Sequence, residues 1–107
     1  MDLYLVRHAE AGTADPTKWP DDRDRPVSPQ GDKRFRRVAR GLRALVPSVE
    51  VVLSSRFARA WQTAELLRKE ARWPAPIACE ALESGRAPAD VLMALQAYGS
   101  SASVALV

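Results

Sequence analysis

The feature that most constrains the fold is an alternation of short strand-like runs with longer helical segments. Three mostly apolar runs have the composition of buried strands: LYLV at residues 3–6, VEVVLSS at 49–55 and SVALV at 103–107. A fourth run, PIA at 76–78, is shorter and indicates a short strand. Strands that alternate with helices form βαβ units, which need a mainly parallel sheet with helices packed on its faces. The sequence therefore predicts a three-layer α/β/α fold around such a sheet.

Capping residues place three helices between these runs. Ser28 has the side chain of an N-cap and Pro29 suits the first helical position, so the first helix is expected over about residues 29–46. The second helix is expected over about residues 57–72 and the third over about residues 89–98.

Composition bounds the class of protein. A chain of 107 residues with 47% apolar and 27% charged residues suits one compact domain. No apolar run approaches the roughly 20 residues of a membrane span and no signal-like stretch opens the chain, so we expect a cytoplasmic protein without membrane contact. One cysteine and one histidine can form neither an internal disulfide nor a zinc site, and we expect no metal and no cofactor.

The basic residues do not require a nucleic-acid partner. The net charge is only +3, which suits an anionic substrate. The densest basic cluster, DKRFRRVARGLR at residues 32–43, has helical spacing, and one apolar stripe runs along it: Phe35, Val38, Leu42 and Leu45. No aromatic residues alternate with these arginines as platforms for stacked bases. We therefore expect a solvated helix face.

Charged and polar residues follow two of the predicted strands directly. Arg7 and His8 come after the first strand, and Ser-Ser-Arg at 54–56 ends the second. Ligands of parallel sheets bind outside the carboxyl ends of the strands, so these residues are expected at one site. The segment 12–26 is rich in Pro and Asp and lacks periodicity, which predicts a long loop that bears on substrate choice.

His8, Arg7 and Arg59 form a candidate site for phosphoryl transfer. A neutral imidazole can attack phosphorus and hold the group as phosphohistidine, and a guanidinium offers a planar fork of donors to phosphate oxygens. Arg59 lies in the first turn of the second helix, where unpaired N–H groups and the helix dipole favour an anion. Taken singly, a lone histidine is more often structural, and Arg59 would pair with Glu65 or solvent. The combination carries the hypothesis.

Three motifs, in order and at compatible spacings, resemble those of the histidine phosphatase superfamily, whose fold is phosphoglycerate mutase-like. LYLVRHAEAG at 3–12 resembles its opening strand and Arg-His pair, the RHG motif. RPVSPQG at 25–31 is similar to the segment that starts its first helix in small bacterial members, and VLSSRFARAWQTAELL at 52–67 to the pattern SSPxxRAxQTAxxL. The short length and the RHA triplet are most similar to SixA-type phosphohistidine phosphatases, which dephosphorylate histidine on phosphorelay proteins.

The resemblance implies a role for each motif residue. His8 would be the nucleophile of a metal-independent phosphatase, and Arg7 and Arg59 would bind the phosphate. The partner would be a phosphorylated protein or a small phosphomonoester. For the proton donor, Glu80 fits the spacing of a family glutamate loosely and Glu83 competes with it, while a plain surface carboxylate is the alternative for both.

The chain departs from the family pattern at its end. Family members carry a second histidine in a short loop directly after a strand that resembles SVALV, and this sequence has no second histidine. We therefore expect residues 1–107 to be a single histidine phosphatase domain cut before its C-terminal segment. Such a piece would be an incomplete fold with exposed apolar surface and weak or no activity.

Two other functions remain open from the residues alone. One is a sugar-phosphate phosphatase or a mutase-like enzyme, because the His8 core handles only the phosphoryl group. The other is a non-catalytic module that binds a phosphorylated ligand through the two arginines.

Overall fold

A computed structural model describes residues 1–107 as one four-stranded sheet with helices on both faces. In chain order the strands are β1 Asp2–Leu5, β2 Val51–Ser54, β3 Ile77–Ala78 and β4 Ser103–Leu106. Their order across the sheet is β1-β4-β2-β3, and all three neighbouring pairs are parallel. The predicted three-layer α/β/α fold with a mainly parallel sheet is confirmed.

The last strand of the chain lies inside the sheet, between β1 and β2. All four residues of β4 are buried. The Val6 N–H donates to the Leu106 carbonyl at 2.9 Å, and the Ser55 N–H donates to the Val107 carbonyl at 3.0 Å. The carboxyl ends of three strands therefore reach the same edge, which brings together the residues that follow them.

Three helices connect the strands: α1 Pro29–Leu45, α2 Ala58–Leu66 and α3 Pro88–Gln96. Ser28 caps α1 as predicted, because its hydroxyl accepts from the Gly31 N–H at 2.9 Å. The second helix is shorter than predicted as an α-helix, since it continues as a π-helical turn, Leu67–Ala71. Short 3₁₀ turns lie at Asp22–Asp24 and Glu80–Leu82. None of the helices has the length and apolar character to span a bilayer.

The buried core has one part on each face of the sheet, because successive side chains of a strand point to opposite faces. On the face covered by α1 and α2, the core includes Phe35, Ala39, Val52, Ala64, Leu67, Trp73 and Ala105. On the other face Leu53, Val104 and Leu106 form a smaller core, against which Val91 and Leu95 of α3 pack.

The packed face of α1 differs from the predicted stripe. Phe35 is buried, but Val38 is 51% exposed and Leu45 is 80% exposed. The buried line instead runs through Gly31, Phe35 and Ala39. The prediction was wrong at Val38 and Leu45 because small residues let the helix backbone approach its neighbours, and a search for large apolar side chains passes over them.

Two arginines of α1 bind the end of the second helix rather than solvent alone. Arg36 and Arg40 lie 3.1 and 3.0 Å from the two carboxylate oxygens of Glu70. Hydrogen bonds from Arg40 and then Arg36 hold the pKa of Glu70 below its ordinary value. These ion pairs fasten α1 to the π-helical turn.

Apolar surface is exposed where α3 leaves β1 uncovered. Leu3 and Leu5 of β1 are 46% and 76% exposed, and Leu92 and Met93 of α3 are 66% and 68% exposed. A groove of about 670 Å³ lies between these elements. The expectation of exposed apolar surface is therefore met on this side of the sheet.

Candidate active site

His8 is half-buried just beyond the end of β1, at the carboxyl edge of the sheet. Its Nδ1 lies 2.7 Å from the main-chain carbonyl oxygen of Ala9. A carbonyl oxygen only accepts hydrogen bonds, so Nδ1 carries a hydrogen, and in the neutral form of the ring Nε2 therefore has the lone pair. The main chain thus selects Nε2 as the nitrogen that can attack an electrophile.

The start of α1 holds the segment that follows His8. The N–H and the hydroxyl of Ser28 both donate to the Glu10 carbonyl, at 3.0 and 3.2 Å. Gly31 makes this approach possible, since a Cβ at that position would lie 2.1 Å from the same oxygen. The RPVSPQG motif therefore supports the RHA motif through main-chain contact.

Two residues of α2 fasten the other motifs to it. The Thr63 hydroxyl, fully buried, accepts from the Ala9 N–H at 2.8 Å and donates to the Arg59 carbonyl at 2.7 Å. The Gln62 side-chain oxygen accepts from the Val27 N–H at 2.8 Å. The Gln-Thr pair of the third motif thus hydrogen-bonds to both of the other two motifs and fixes their positions relative to α2.

Arg59 is buried in the first turn of α2 and does not pair with Glu65. Its side chain is 10% exposed, Nη1 donates to the Asp22 carbonyl at 2.9 Å, and Nη2 lies 3.3 Å from a carboxylate oxygen of Asp22. The Phe57 ring centroid lies 5.2 Å from the guanidinium carbon. Glu65 pairs instead with Arg68. The loop and Phe57 together hold the guanidinium, and its Nε–H donates to no protein atom.

Two adjoining cavities bring the predicted site residues together. A cavity of about 180 Å³ is lined by Arg7, His8 and Arg59, among others. A second cavity, of about 540 Å³, is lined by Arg7 and His8 together with Glu10 and Arg25. An imidazole with guanidinium groups around it suits an anion with an electrophilic centre.

Glu80 and Glu83 lie close to this site but line a different cavity. That cavity, of about 370 Å³, contains both glutamates and three arginines in its walls. The same segment contributes Leu82 and Ser84 to the smaller cavity of His8. The role of either carboxyl as a proton donor stays a prediction.

Sequence reasoning missed Arg25 and Asp22. Arg25 donates from Nε to a carboxylate oxygen of Asp22 at 2.8 Å and from Nη1 to the Gly12 carbonyl at 2.5 Å. The hydrogen bond from Arg25, with the charges of Arg25 and Arg59, holds the pKa of Asp22 below its ordinary value. Arg25 could have been found because it is the first residue of the RPVSPQG motif. Nothing in the local sequence distinguishes Asp22 from the other acidic residues of its loop.

The positive charge of the site comes from arginine. No group of three or more His, Cys, Asp or Glu side chains lies close enough together to hold a metal ion. Cys79, the single cysteine, is half-buried directly after β3 and forms no disulfide. The larger groove beside β1 has nine apolar residues among its eleven, which makes it a poor site for an anion.

Comparison of sequences places the motifs in a family context. The model of the histidine phosphatase superfamily (branch 1) matches residues 3–83. An uncharacterized protein of Picosynechococcus sp. is 40% identical over 76 residues, which are 71% of this chain and 45% of that protein. The chain therefore spans less than half the length of this curated relative.

Comparison of structures gives the same result for the fold. A SixA protein from Agrobacterium tumefaciens has a TM-score of 0.84 at 25% identity, over 98% of this chain and 66% of that chain. The protein histidine phosphatase SixA complexed with tungstate has a TM-score of 0.86 at 28% identity, over 99% and 67%. A SixA protein from Nakamurella multipartitia has a TM-score of 0.76 at 32% identity, over 98% and 56%. The predicted similarity to SixA proteins and the predicted fold are confirmed.

Proposed function

The chain belongs to branch 1 of the histidine phosphatase superfamily, and from that premise we propose that the natural protein is a phosphatase with a phosphohistidine intermediate on His8. Its proposed substrate is phosphohistidine on a phosphorelay protein. The observation that carries the proposal is the 2.7 Å contact between Nδ1 of His8 and the Ala9 carbonyl. This contact leaves Nε2 with the lone pair that an attack on phosphorus needs.

In the proposed first step, Nε2 of His8 forms a bond to phosphorus while the bond between phosphorus and the leaving nitrogen breaks. The electron pair of the broken bond stays with the leaving imidazole. In the second step a water molecule attacks the phosphorus on His8. The Nε2–P bond breaks, its electron pair returns to the ring, and a proton of the water passes to phosphate or solvent. The products are unmodified histidine and inorganic phosphate.

Arg7 and Arg59 are the proposed phosphate-binding residues. Charge in a phosphoryl-transfer transition state is spread over three equatorial oxygens, and guanidinium groups around them stabilise it. Tungstate is a tetrahedral oxyanion like phosphate, and its presence in a SixA structure of the same fold supports an oxyanion site here. Because the arginines supply the positive charge, we propose a reaction that needs neither metal nor cofactor.

Two features favour phosphohistidine over a phosphate ester as the substrate. A leaving imidazole whose other nitrogen carries a proton departs as a neutral ring, whereas an alkoxide needs a proton from a positioned acid. Among the side chains of residues 1–107, only one carboxyl group lines the two cavities of His8, that of Glu10, and it pairs with Arg34. Arg7 is exposed, so a phosphohistidine on the surface of another protein can reach it.

The proposal concerns the whole natural protein, since the chain spans about two thirds or less of each solved relative. We propose that it acts in the cytoplasm. The second histidine that the family resemblance predicts after β4 stays a prediction, as does the boundary of a single domain at residues 1–107. Hydrolysis of a sugar phosphate by the same His8 chemistry is the alternative activity.

A binding module is the second candidate, because Arg7 and Arg59 line one cavity and would hold a phosphate group there without any reaction at His8. A module with Arg7 and Arg59 would bind a phosphorylated ligand and release it unchanged. This candidate predicts affinity for tungstate without any turnover by the full natural protein.

A substrate panel with matched variants tests the proposal. The full natural protein should hydrolyse a phosphohistidine peptide with a higher kcat/KM than a sugar phosphate, and EDTA should leave that value unchanged. Arg59→Lys should lower kcat/KM by roughly 10²-fold, as expected for loss of one oxyanion donor. Arg56→Lys is the control, because Arg56 is exposed just before α2 and lines the cavity of Glu80 and Glu83 rather than a cavity of His8.

Three outcomes would contradict the proposal. A higher kcat/KM for the sugar phosphate would favour the alternative enzyme. Tungstate binding without hydrolysis of any substrate would favour the binding module. Equal effects of the two arginine variants would remove Arg59 from the phosphate site.

A further inference from the structure

Asp22 connects two arginines of the candidate site. Its carboxylate accepts from Nε of Arg25 at 2.8 Å, and the other carboxylate oxygen lies 3.3 Å from Nη2 of Arg59. Its main-chain carbonyl accepts from Nη1 of Arg59 at 2.9 Å. The two arginine side chains are only 16% and 10% exposed, whereas the Asp22 side chain is 54% exposed. A solvent-accessible anion of the loop thus binds two largely buried cations.

These two arginines line different cavities, and His8 lines both cavities. Arg59 lines the smaller cavity of His8 and Arg25 lines the larger one. The third arginine of the site, Arg7, forms no ion pair. Asp21, which precedes Asp22 in the loop, pairs with Arg23 outside the site. Asp22 is therefore the one carboxylate that binds arginines of both cavities.

We infer that Asp22 positions Arg59 and Arg25 and at the same time weakens the binding of a bare oxyanion, because its carboxylate already binds N–H groups of two arginines that line the cavities of His8. The inference rests on the proposed phosphate site around His8. The main-chain carbonyl and the carboxylate have separate effects. The carbonyl holds Arg59 whatever the charge of the side chain, and the carboxylate places a negative charge beside the two guanidinium groups that attract an oxyanion.

The consequence is selectivity between the product and the substrate. Inorganic phosphate has only its oxygens with which to displace the carboxylate, whereas a phosphorylated protein also makes contacts outside the cavity. The carboxylate therefore keeps free phosphate from filling the site and speeds release of the product. A residue that only maintained the fold would not weaken oxyanion binding, so its replacement would not tighten it.

Asp22→Asn separates the two effects. The amide keeps an acceptor for Arg25 and leaves the main-chain carbonyl in place, while it removes the negative charge. Asp24→Asn is the matched control, because Asp24 lies in the same 3₁₀ turn, is exposed and forms no ion pair. If Asp22→Asn does not fold, Asp22→Ser replaces it, since serine is small, neutral and compatible with the first residue of such a turn.

The experiment measures binding of tungstate and of inorganic phosphate to the full natural protein by calorimetry, and steady-state kinetics with a phosphohistidine peptide. Removal of a negative charge that is in contact with Arg25 and Arg59 should tighten the binding of both oxyanions by about tenfold. KM should fall with them, and kcat should fall or stay level, because product release slows. Asp24→Asn should change each constant by less than about twofold, as expected for an exposed charge outside contact distance.

The outcomes separate this inference from the proposed function. Tighter oxyanion binding in Asp22→Asn, with the control unchanged, supports the inference even if no turnover is found. Oxyanion binding in Asp22→Asn that is weaker than or equal to that of the wild type overturns the inference about Asp22. The proposed function still stands in that case if the wild-type protein binds the oxyanions and turns over the phosphohistidine peptide. Equal tightening in Asp24→Asn also overturns it, since the effect would then be one of net charge. A wild-type protein that binds neither oxyanion contradicts both.

Discussion

Gly31→Ala should weaken the fold at the point where the site is built. A Cβ at residue 31 would lie 2.1 Å from the Glu10 carbonyl oxygen and 2.9 Å from its carbon. These are main-chain atoms, so the segment after His8 has to move away from α1. The same carbonyl accepts two hydrogen bonds from Ser28, and that movement breaks them.

The magnitude follows from a comparison with Gly41→Ala in the same helix. Alanine gains about 1 kcal/mol over glycine in a helix interior, and a Cβ at residue 41 meets nothing within 4 Å. The difference between the two variants therefore isolates the contact at Gly31. Overpacking typically costs about 1–3 kcal/mol and each of the two lost hydrogen bonds about 1 kcal/mol, so Gly31→Ala should be less stable than Gly41→Ala by about 3–5 kcal/mol.

Urea denaturation followed by tryptophan fluorescence measures this difference on the full natural protein. Gly41→Ala should unfold at the wild-type midpoint or above it, and Gly31→Ala clearly below it. Tungstate should also bind more weakly to Gly31→Ala, because the displaced segment begins next to His8. Equal midpoints for the two variants would refute the contact between α1 and the RHA motif.

Three further predictions concern single side chains. Thr63→Val leaves the buried Ala9 N–H without an acceptor and should lower the free energy of unfolding by about 1–3 kcal/mol. Thr63→Ser keeps a hydroxyl acceptor and should retain most of the wild-type stability. Urea denaturation of both variants measures the difference. Glu70→Gln should lower Tm at neutral pH, because it removes the ion pairs of Glu70 with Arg36 and Arg40. The pKa of Glu70 is held below its ordinary value of 4.5, so these ion pairs stabilise the fold above pH 4.5. Their contribution is lost as the pH falls through the pKa of Glu70 in the folded protein. A Tm difference that persists unchanged in acid would contradict this. Glu80→Gln and Glu83→Gln should each change kcat for the phosphohistidine peptide by less than about threefold, since neither lines the His8 cavities, whereas loss of a general acid costs roughly 10²–10⁴-fold.

The elements of the fold could be predicted because their signals are local. Ser28 and Pro29 mark the start of α1, and the apolar runs mark the four strands, with PIA at 76–78 corresponding to the short β3. The position of β4 between β1 and β2 could not be predicted, since pairing of distant strands depends on how the helices pack. The buried face of α1 was missed for a related reason: Gly31 and Ala39 are buried because they are small.

The same distinction applies to the site. Arg7, His8 and Arg59 could be brought together in advance because each stands next to the carboxyl end of a parallel strand or in the first turn of the following helix. Arg25 and Asp22 lie in or beside a long loop, and their contacts form only when that loop folds back onto α2. No sequence spacing encodes such a contact between a loop and a helix.

The covalent state of His8 during turnover tests the central proposal most directly. The full natural protein is mixed with a phosphohistidine peptide labelled on phosphorus, quenched in base, digested and mapped by mass spectrometry. We predict an acid-labile, base-stable label on the peptide that carries His8, which rises and decays with turnover and is absent, together with turnover, from His8→Asn. Turnover that proceeds with no label on that peptide, or that persists in His8→Asn, would contradict the proposal.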